Sequence, residues 1–220
     1  MYEKKLIKTS DGSHTLYDPE LKEHYHSING AIQESMHVFI NKGFHSIEKN
    51  PVRILEIGFG TGLNAVLTCA ESKKYQRKVY YHAIEKYPLD NELINSLNYK
   101  QYLDSEGKDF FREIHKSNWG VRVDISPYFT IIKQKLDFIG FDIQDTYDII
   151  YFDAFAPDKQ PEMWSAGNFH NLFCALTKKG VLVTYSAKGI IKRRLDHVGF
   201  HVEKLPGPPG KREMLRAEKL

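Results

Sequence analysis

The chain has 220 residues, 41% hydrophobic and 27% charged, with 31 Lys/Arg against 28 Asp/Glu and a net charge of +3. These proportions exclude a disordered or fibrous chain and fit one soluble domain with a small appendage. No apolar run approaches the ~18 residues of a membrane span, and the N-terminal MYEKKLIKTSDGSH lacks the apolar stretch of a secretory leader, so a cytoplasmic location away from membranes is expected.

Residues 1–50 are polar with scattered histidines and suggest short strands followed by a helix near Ile28–Lys42. After Pro51 the texture changes to short apolar runs alternating with amphipathic stretches. Val52–Ile57 reads as a strand, with a helix from about Leu63; Val79–Ile84 follows, with a helix from about Asp90. Phe129–Lys135 and Tyr147–Phe152 read as strands, Asn168–Lys178 as a helix closed by Gly180, and Val181–Tyr185 as a strand. Lys192–Arg194 lies on the next helix. Phe200–Leu205 and Arg212–Lys219, joined by the Gly-Pro-Pro-Gly turn at 207–210, predict a terminal hairpin. This alternation predicts an α/β fold with a mostly parallel, doubly wound sheet over residues 51–220 and an N-terminal appendage over 1–50.

Two cysteines, Cys69 and Cys174, fall in helical stretches and are expected as buried free thiols rather than a disulfide or a metal site. His24 and His26 lack the further ligands a metal pair needs, so no metal is expected. From Lys188 onward nine Lys/Arg stand against four Asp/Glu, a net of +5. That end suits a polyanion such as RNA, or simply a solvated charged face.

The chemistry concentrates at Glu56-Ile-Gly-Phe-Gly-Thr-Gly62. A glycine turn between strand and helix lets a ligand approach the backbone, and helix N–H groups there can bond a carboxylate or phosphate. Alone it serves a dinucleotide or S-adenosylmethionine (SAM). The G-x-G-x-G spacing differs from the dinucleotide G-x-G-x-x-G. Glu56 would repel a pyrophosphate but suits a methionine amino group. Glu85, ending the next predicted strand, can accept both ribose hydroxyl hydrogens, as it would for either cofactor. A third acid should reach the adenine amino group; Asp124 and Asp137 are the candidates, and Asp137, which ends the run 129–136, is preferred.

Asp153-Ala-Phe-Ala-Pro157 follows the strand 147–152, where open α/β sheets bind ligands. Amino methyltransferases often carry an Asn- or Asp-Pro-Pro-aromatic motif here, and this is a variant of it. A carboxylate beside an acceptor amine can orient it and stabilise its growing positive charge. With a reference pKa of about 3.9 it is a weak base for that amine.

The segments Gly58-Phe-Gly-Thr-Gly-Leu-Asn64, Glu85-Lys-Tyr-Pro-Leu89, Asp153–Trp164 and Gly210-Lys-Arg-Glu-Met-Leu215 resemble the methyltransferase half of the bifunctional bacterial tRNA-modification enzymes of the MnmC family. Tyr25-His-Ser27 and Gln33–Phe39 look like its N-terminal element, although Gln33 stands where an acid is expected. The resemblance implies a class I methyltransferase fold with an antiparallel last strand and SAM as donor. It implies 5-aminomethyl(-2-thio)uridine at tRNA position 34 as acceptor. It carries over Glu56, Gly58, Phe59, Gly60, Gly62, Leu63, Asn64, Glu85, Lys86 and Asp137 to the cofactor site, with Asp153 between methyl donor and amine. The family also has an FAD-dependent oxidase domain for which this chain has no room, so a separate oxidase partner is implied. On the acceptor side, Tyr25, Phe155 and Trp164 could stack on a flipped base, although Trp164 suits core packing at least as well. Glu34 and Pro157 join them, and Lys188, Lys211 and Arg212 could meet phosphates. A polyamine synthase-like or small-amine transferase, and a non-catalytic tRNA- or nucleotide-binding module, are the competing readings.

Overall fold

Burial on both faces explains why the central strands read as continuous apolar runs. The computed structural model describes residues 3–220; Met1 and Tyr2 of the N-terminal stretch expected to lack a leader lie outside the described residues. An eight-stranded sheet has the order β10-β11-β9-β8-β4-β5-β7-β6. Its members are β4 (Val52–Ile57), β5 (Val79–Glu85), β6 (Arg122–Ser126), β7 (Phe129–Lys135), β8 (Tyr147–Phe152), β9 (Leu176–Thr184), β10 (His201–Pro206) and β11 (Glu213–Glu218). The inner strands β9, β8, β4, β5 and β7 pair in parallel. β11 runs antiparallel between β9 and β10, and β6 antiparallel to β7. A separate three-stranded sheet holds β1 (Lys5–Lys8), β2 (His14–Asp18) and β3 (Glu23–His24).

Alternation along each strand divides the core in two. Ile54, Tyr81, Ile131 and Tyr151 face one cluster, which also takes Leu16, Val38, Phe39 and Phe44 from the N-terminal segment. Leu55, Ile57, Ile150 and Phe152 face the other, with Trp164, Phe169, Leu172 and Ile191. Helices α2 (Leu63–Lys74) and α4 (Ser105–Lys116) contribute to the first cluster, and α5 (Ala166–Ala175) and α6 (Gly189–His197) to the second. The short helices α1 (Ala31–Ser35) and α3 (Asn91–Ser96) complete the set. No helix among the described residues is long and apolar enough to cross a membrane.

Three expectations change. The helix expected near Ile28–Lys42 is α1 followed by wider, π-helical turns over Met36–Asn41. The helix expected to reach Lys178 stops at Ala175, because Leu176 already pairs with Tyr147 and the Thr177 hydroxyl bonds Asp148 at 2.9 Å. Gly180 therefore lies inside β9 rather than closing a helix. Cys174 is exposed: the buried stripe of α5 runs Phe169, Leu172, Ala175, and position 174 falls off it, while Cys69 is buried as expected.

Lys133 on β7 is 2% exposed and has no carboxylate partner among the described residues. Its ammonium donates to the Ile114 carbonyl at 2.6 Å, at the end of α4 where carbonyls concentrate negative potential. It also lies 5.1 Å from the Trp119 ring centroid and 5.6 Å from that of Phe59. Burial pulls its pKa down to about 8. A base with a lowered folded pKa gains stability as pH rises from that value towards its unfolded value, about 10.4. Between pH 8 and 10, the unfolding free energy of the wild type should therefore rise relative to Lys133→Met by about 1–2 kcal/mol in urea titrations. A constant difference across that range contradicts the assignment.

Candidate active site

Ligands of open α/β sheets bind at the carboxyl ends of strands where the strand order reverses. Here that point lies between β4 and β8. The Asp153 N–H donates to the Ile57 carbonyl at 2.9 Å, joining the two strand ends. Gly58 has φ 92°, and a Cβ there would stand 2.5 Å from the Asp153 carbonyl oxygen, so only glycine fits. The Gly60 N–H donates to Glu85 Oε2 at 3.0 Å, and Glu85 Oε1 takes the Tyr87 N–H at 2.8 Å. Below the loop, the Thr61 hydroxyl meets His26 Nε2 at 2.7 Å, and the Thr61 carbonyl meets His115 Nε2 at 3.0 Å. Burial lowers the pKa of both histidines to about 4, so both are neutral at physiological pH.

One amide links the acids. Asn64 Nδ2, in the first turn of α2, donates to Glu56 Oε1 at 3.0 Å and to Asp153 Oδ2 at 2.8 Å. Asn64 Oδ1 is buried without a partner, and the Tyr81 hydroxyl lies beside the buried Glu56 carboxyl group. Burial holds Glu56 well above the usual carboxylate range, against the Asn64 hydrogen bond. Burial likewise pushes Asp153 up to about 7; the charge of Glu34 adds to this, and Asn64 and Lys211 oppose it.

A cavity of about 890 Å³ opens over these groups. Its walls include Gly58, Phe59, Gly60, Glu85, Lys86, Asp137, Asp153 and Phe155, with Tyr25 and Glu34 from the N-terminal segment and Lys211 from the β10–β11 hairpin. Asp137 lies in the cavity wall, paired with Lys86 at 2.7 Å, whereas Asp124 bonds Thr130 at 2.6 Å on β6 and is no part of the wall. Tyr25 and Phe155 meet edge to face with centroids 4.9 Å apart.

Other expected residues sit elsewhere. Glu56 is fully buried beneath the cavity and does not line it. Gly62, Leu63 and Asn64 also lie outside the wall; Gly62 packs against Phe59 and His115, and Leu63 is core. Trp164 is 0% exposed, its indole N–H donating to the Phe155 carbonyl at 2.8 Å, so it supports the Asp153 loop and cannot stack on a base. Pro157 is buried outside the cavity wall. Lys188 is paired with Asp158, and Arg212 is exposed; neither lines the cavity. Tyr185, Gln160 and Met163 line it and were missed. Tyr185 lies just past β9, at the carboxyl edge of the sheet, where the rule that exposed Asp153 also applies.

The glycine cradle, the buried Glu56 with the orphaned Asn64 oxygen beside it, and the acids Glu85 and Asp137 on the wall fit a nucleoside carrying an amino-acid group. The strand order and antiparallel β11 define a class I methyltransferase fold. A family model described as S-adenosyl-L-methionine-dependent methyltransferase matches residues 92–220, and the chain belongs to this family. Among curated proteins, the tRNA 5-methylaminomethyl-2-thiouridine biosynthesis bifunctional protein MnmC of Leptospira interrogans is 33% identical over 209 residues. That match covers 87% of this chain and 32% of the relative. The MnmC protein of Campylobacter hominis is 29% identical, covering 92% of this chain and 31% of the relative. The chain thus spans about a third of the length of these relatives. Among solved structures, MNMC2 from Aquifex aeolicus superposes with a TM-score of 0.83 at 23% identity, covering 99% of this chain and 70% of that one. Spermidine synthase from Thermotoga maritima shares the fold at a TM-score of 0.57 and 16% identity, covering 99% and 72%.

SAM at a hundred times its dissociation constant should stabilise the wild type by about 2.7 kcal/mol, read as a rise in melting temperature. Gly58→Ala, with its Cβ against the Asp153 carbonyl, should fold less stably and lose that rise. A full SAM-dependent rise in the variant would remove the loop from the cofactor site.

Proposed function

We propose that this chain transfers the methyl group of SAM to the amine of 5-aminomethyl(-2-thio)uridine at tRNA wobble position 34. The observation that carries the reading is Asp153: one carboxylate oxygen is fixed by Asn64, and the carboxyl group lines the cavity shared with the glycine loop. The names of the MnmC relatives supply the acceptor class. The cavity wall is rich in acids, seven from Asp18 and Glu20 to Asp137 and Asp153 against Lys4, Lys86 and Lys211, which suits a cationic amine.

Glu56, Gly58, Gly60, Glu85 and Asp137 would hold SAM, with Glu56 acting from beneath through the cavity floor. When bound, SAM supplies a methyl group made electrophilic by its sulfonium. The acceptor amine arrives as an ammonium and must lose a proton before its lone pair can attack. Asp153 in its carboxylate form takes that proton, leaving a neutral amine and a carboxylic acid, and orients the nitrogen as charge returns to it. A pKa of about 7 makes it a far better base than a solvated aspartate. Tyr25 and Phe155 offer ring faces to the extruded base. The reading divides the chain into an appendage of residues 1–50 that frames the acceptor side and a methyltransferase domain of residues 51–220. It places the protein in the cytoplasm with its tRNA, and an FAD-dependent oxidase activity supplies the aminomethyl group.

The acid-rich cavity also supports a second reading, aminopropyl or methyl transfer to a small amine. Turnover of decarboxylated SAM with putrescine, without transfer to tRNA, would establish it instead. On the leading reading, labelled methyl passes from SAM to tRNA bearing aminomethyluridine, and Asp153→Ala lowers kcat/KM by about 100-fold or more while still binding SAM. Activity needs the carboxylate, so the wild-type rate should rise as pH climbs through about 7. A folded, SAM-binding sample that transfers no methyl to this RNA rejects the reading.

The basic C-terminal residues are mostly occupied. Lys192 pairs with Asp196 at 2.7 Å, Lys204 with Glu213 at 2.8 Å and Arg216 with Glu203 at 2.7 Å. Arg194 donates to the Trp164 carbonyl at 2.8 Å. Arg193 and Arg212 make no salt bridge or side-chain hydrogen bond among the described residues. Arg193→Ala and Arg212→Ala should each weaken tRNA binding and reduce its salt slope by about 1, whereas Lys204→Ala should leave the slope unchanged.

A further inference from the structure

Three contacts join the β10–β11 hairpin to the N-terminal segment across the acceptor side of the cavity. His37 Nε2 lies 2.7 Å from the Pro206 carbonyl. A Cβ on Gly210, at φ 82°, would stand 2.0 Å from Asn29 Nδ2. The Lys211 ammonium lies 2.6 Å from Glu34 Oε1. Glu34 is 5% exposed, and its other oxygen accepts the Ser27 N–H at 2.7 Å. The Lys211 ammonium also sits 3.8 Å from the Tyr185 ring centroid. The Tyr185 hydroxyl in turn donates to the carbonyl of Ala154, next to Asp153, at 2.9 Å. Lys211 is therefore turned inward onto a carboxylate and a ring. An ammonium that met phosphate would point outward.

We infer that Glu34 and Lys211 are positioning residues for the acceptor, a charge pair that sets how much negative charge the site around Asp153 presents to an incoming amine. The inference rests on the amine-acceptor reading above. Glu34 adds a second negative charge on the acceptor side, and Lys211 holds it and offsets it. Without Glu34, Lys211 stands uncompensated beside Asp153: it favours the carboxylate and repels an ammonium. Without Lys211, the Glu34 charge acts on Asp153 unopposed, and each of the two carboxylates disfavours the other's ionisation. The other groups that act on Asp153 are Glu56 from β4, Asn64 from α2, Tyr81 from β5, Tyr99 from the turn after α3 and Tyr185 after β9. None of them is a cation, so among the described residues Lys211 is the cation that acts on Asp153.

The test follows the Asp153 carboxyl carbon by ¹³C NMR during pH titration of the cofactor-free protein. Glu34→Gln should move its midpoint to lower pH and Lys211→Met to higher pH, each by about 0.5 or more. Glu34→Asp should restore the wild-type value. In parallel, the acidic limb of kcat/KM on an anticodon stem-loop RNA bearing 5-aminomethyluridine should move in the same two directions, and Glu34→Gln should raise KM more than it lowers kcat. Midpoints that stay fixed, or move the same way in both variants, overturn the inference and leave the pair a structural clasp. If Glu34→Gln does not fold, the direction of Lys211→Met decides alone. If the midpoints part as stated but the wild type transfers no methyl to the RNA, the charge pair stands and the acceptor assignment falls.

Discussion

The site depends on how the two hydrogens of one amide are used. Asn64 gives one to Glu56 and the other to Asp153, and so spans the gap between β4 and β8. It can do so because α2 starts directly after Gly62, whose left-handed backbone (φ 72°) turns the chain from the loop into the helix. Glycine loop, strand-end acid and acceptor-side acid are thus one hydrogen-bonded unit. Moving any one of them moves the amide and with it the other acid. An amide also suits the task chemically: a cation at position 64 would neutralise both acids, and a third carboxylate would leave neither with a donor.

Burial then decides what those acids can do. Desolvation is the largest influence on both, and no cation pairs directly with either. A carboxylate stabilised by an arginine would be inert as a base. Asp153, held near neutrality, exchanges a proton readily and still carries charge for part of the time at physiological pH. This alters the view taken from its reference value, which made orientation its main use. The structure supplies the desolvation that residue type alone cannot express.

What was legible in the sequence follows the same physics. β4, β7 and β8 match their expected bounds because strands buried on both faces leave unbroken apolar runs. The glycine loop, Glu85, Asp137 and Asp153 were legible because each ends a strand at the carboxyl edge of the sheet. Contacts between distant segments were not. Glu34 and Lys211 lie 177 residues apart, and His26 reaches the underside of the loop through Thr61, 35 residues on. Neither contact leaves a periodic signal. Trp164 stayed open between base stacking and core packing for a different reason: an indole beside a functional motif reads the same whether it stacks on a ligand or holds the loop from behind, and its burial and the bond to the Phe155 carbonyl decide for the core.

The basic end of the chain shows how little net charge says about a binding face. Its excess of +5 fitted a polyanion partner or simply a solvated charged face, and most of those side chains close salt bridges on their own hairpin or helix, or bond helix-end and loop carbonyls. Lys211 is turned into the cavity. At this end of the chain, Arg193 and Arg212 are the cations left to meet a phosphate backbone. Recognition then falls to the cavity, where a single extruded nucleotide meets ring faces and acids. An amine that enters there faces several carboxylates and only Lys4, Lys86 and Lys211 as competing charges. Of these, Lys211 is the ammonium that acts on Asp153, and it is already held by Glu34, so on the proposed reading the acceptor's own charge is the feature the site would read.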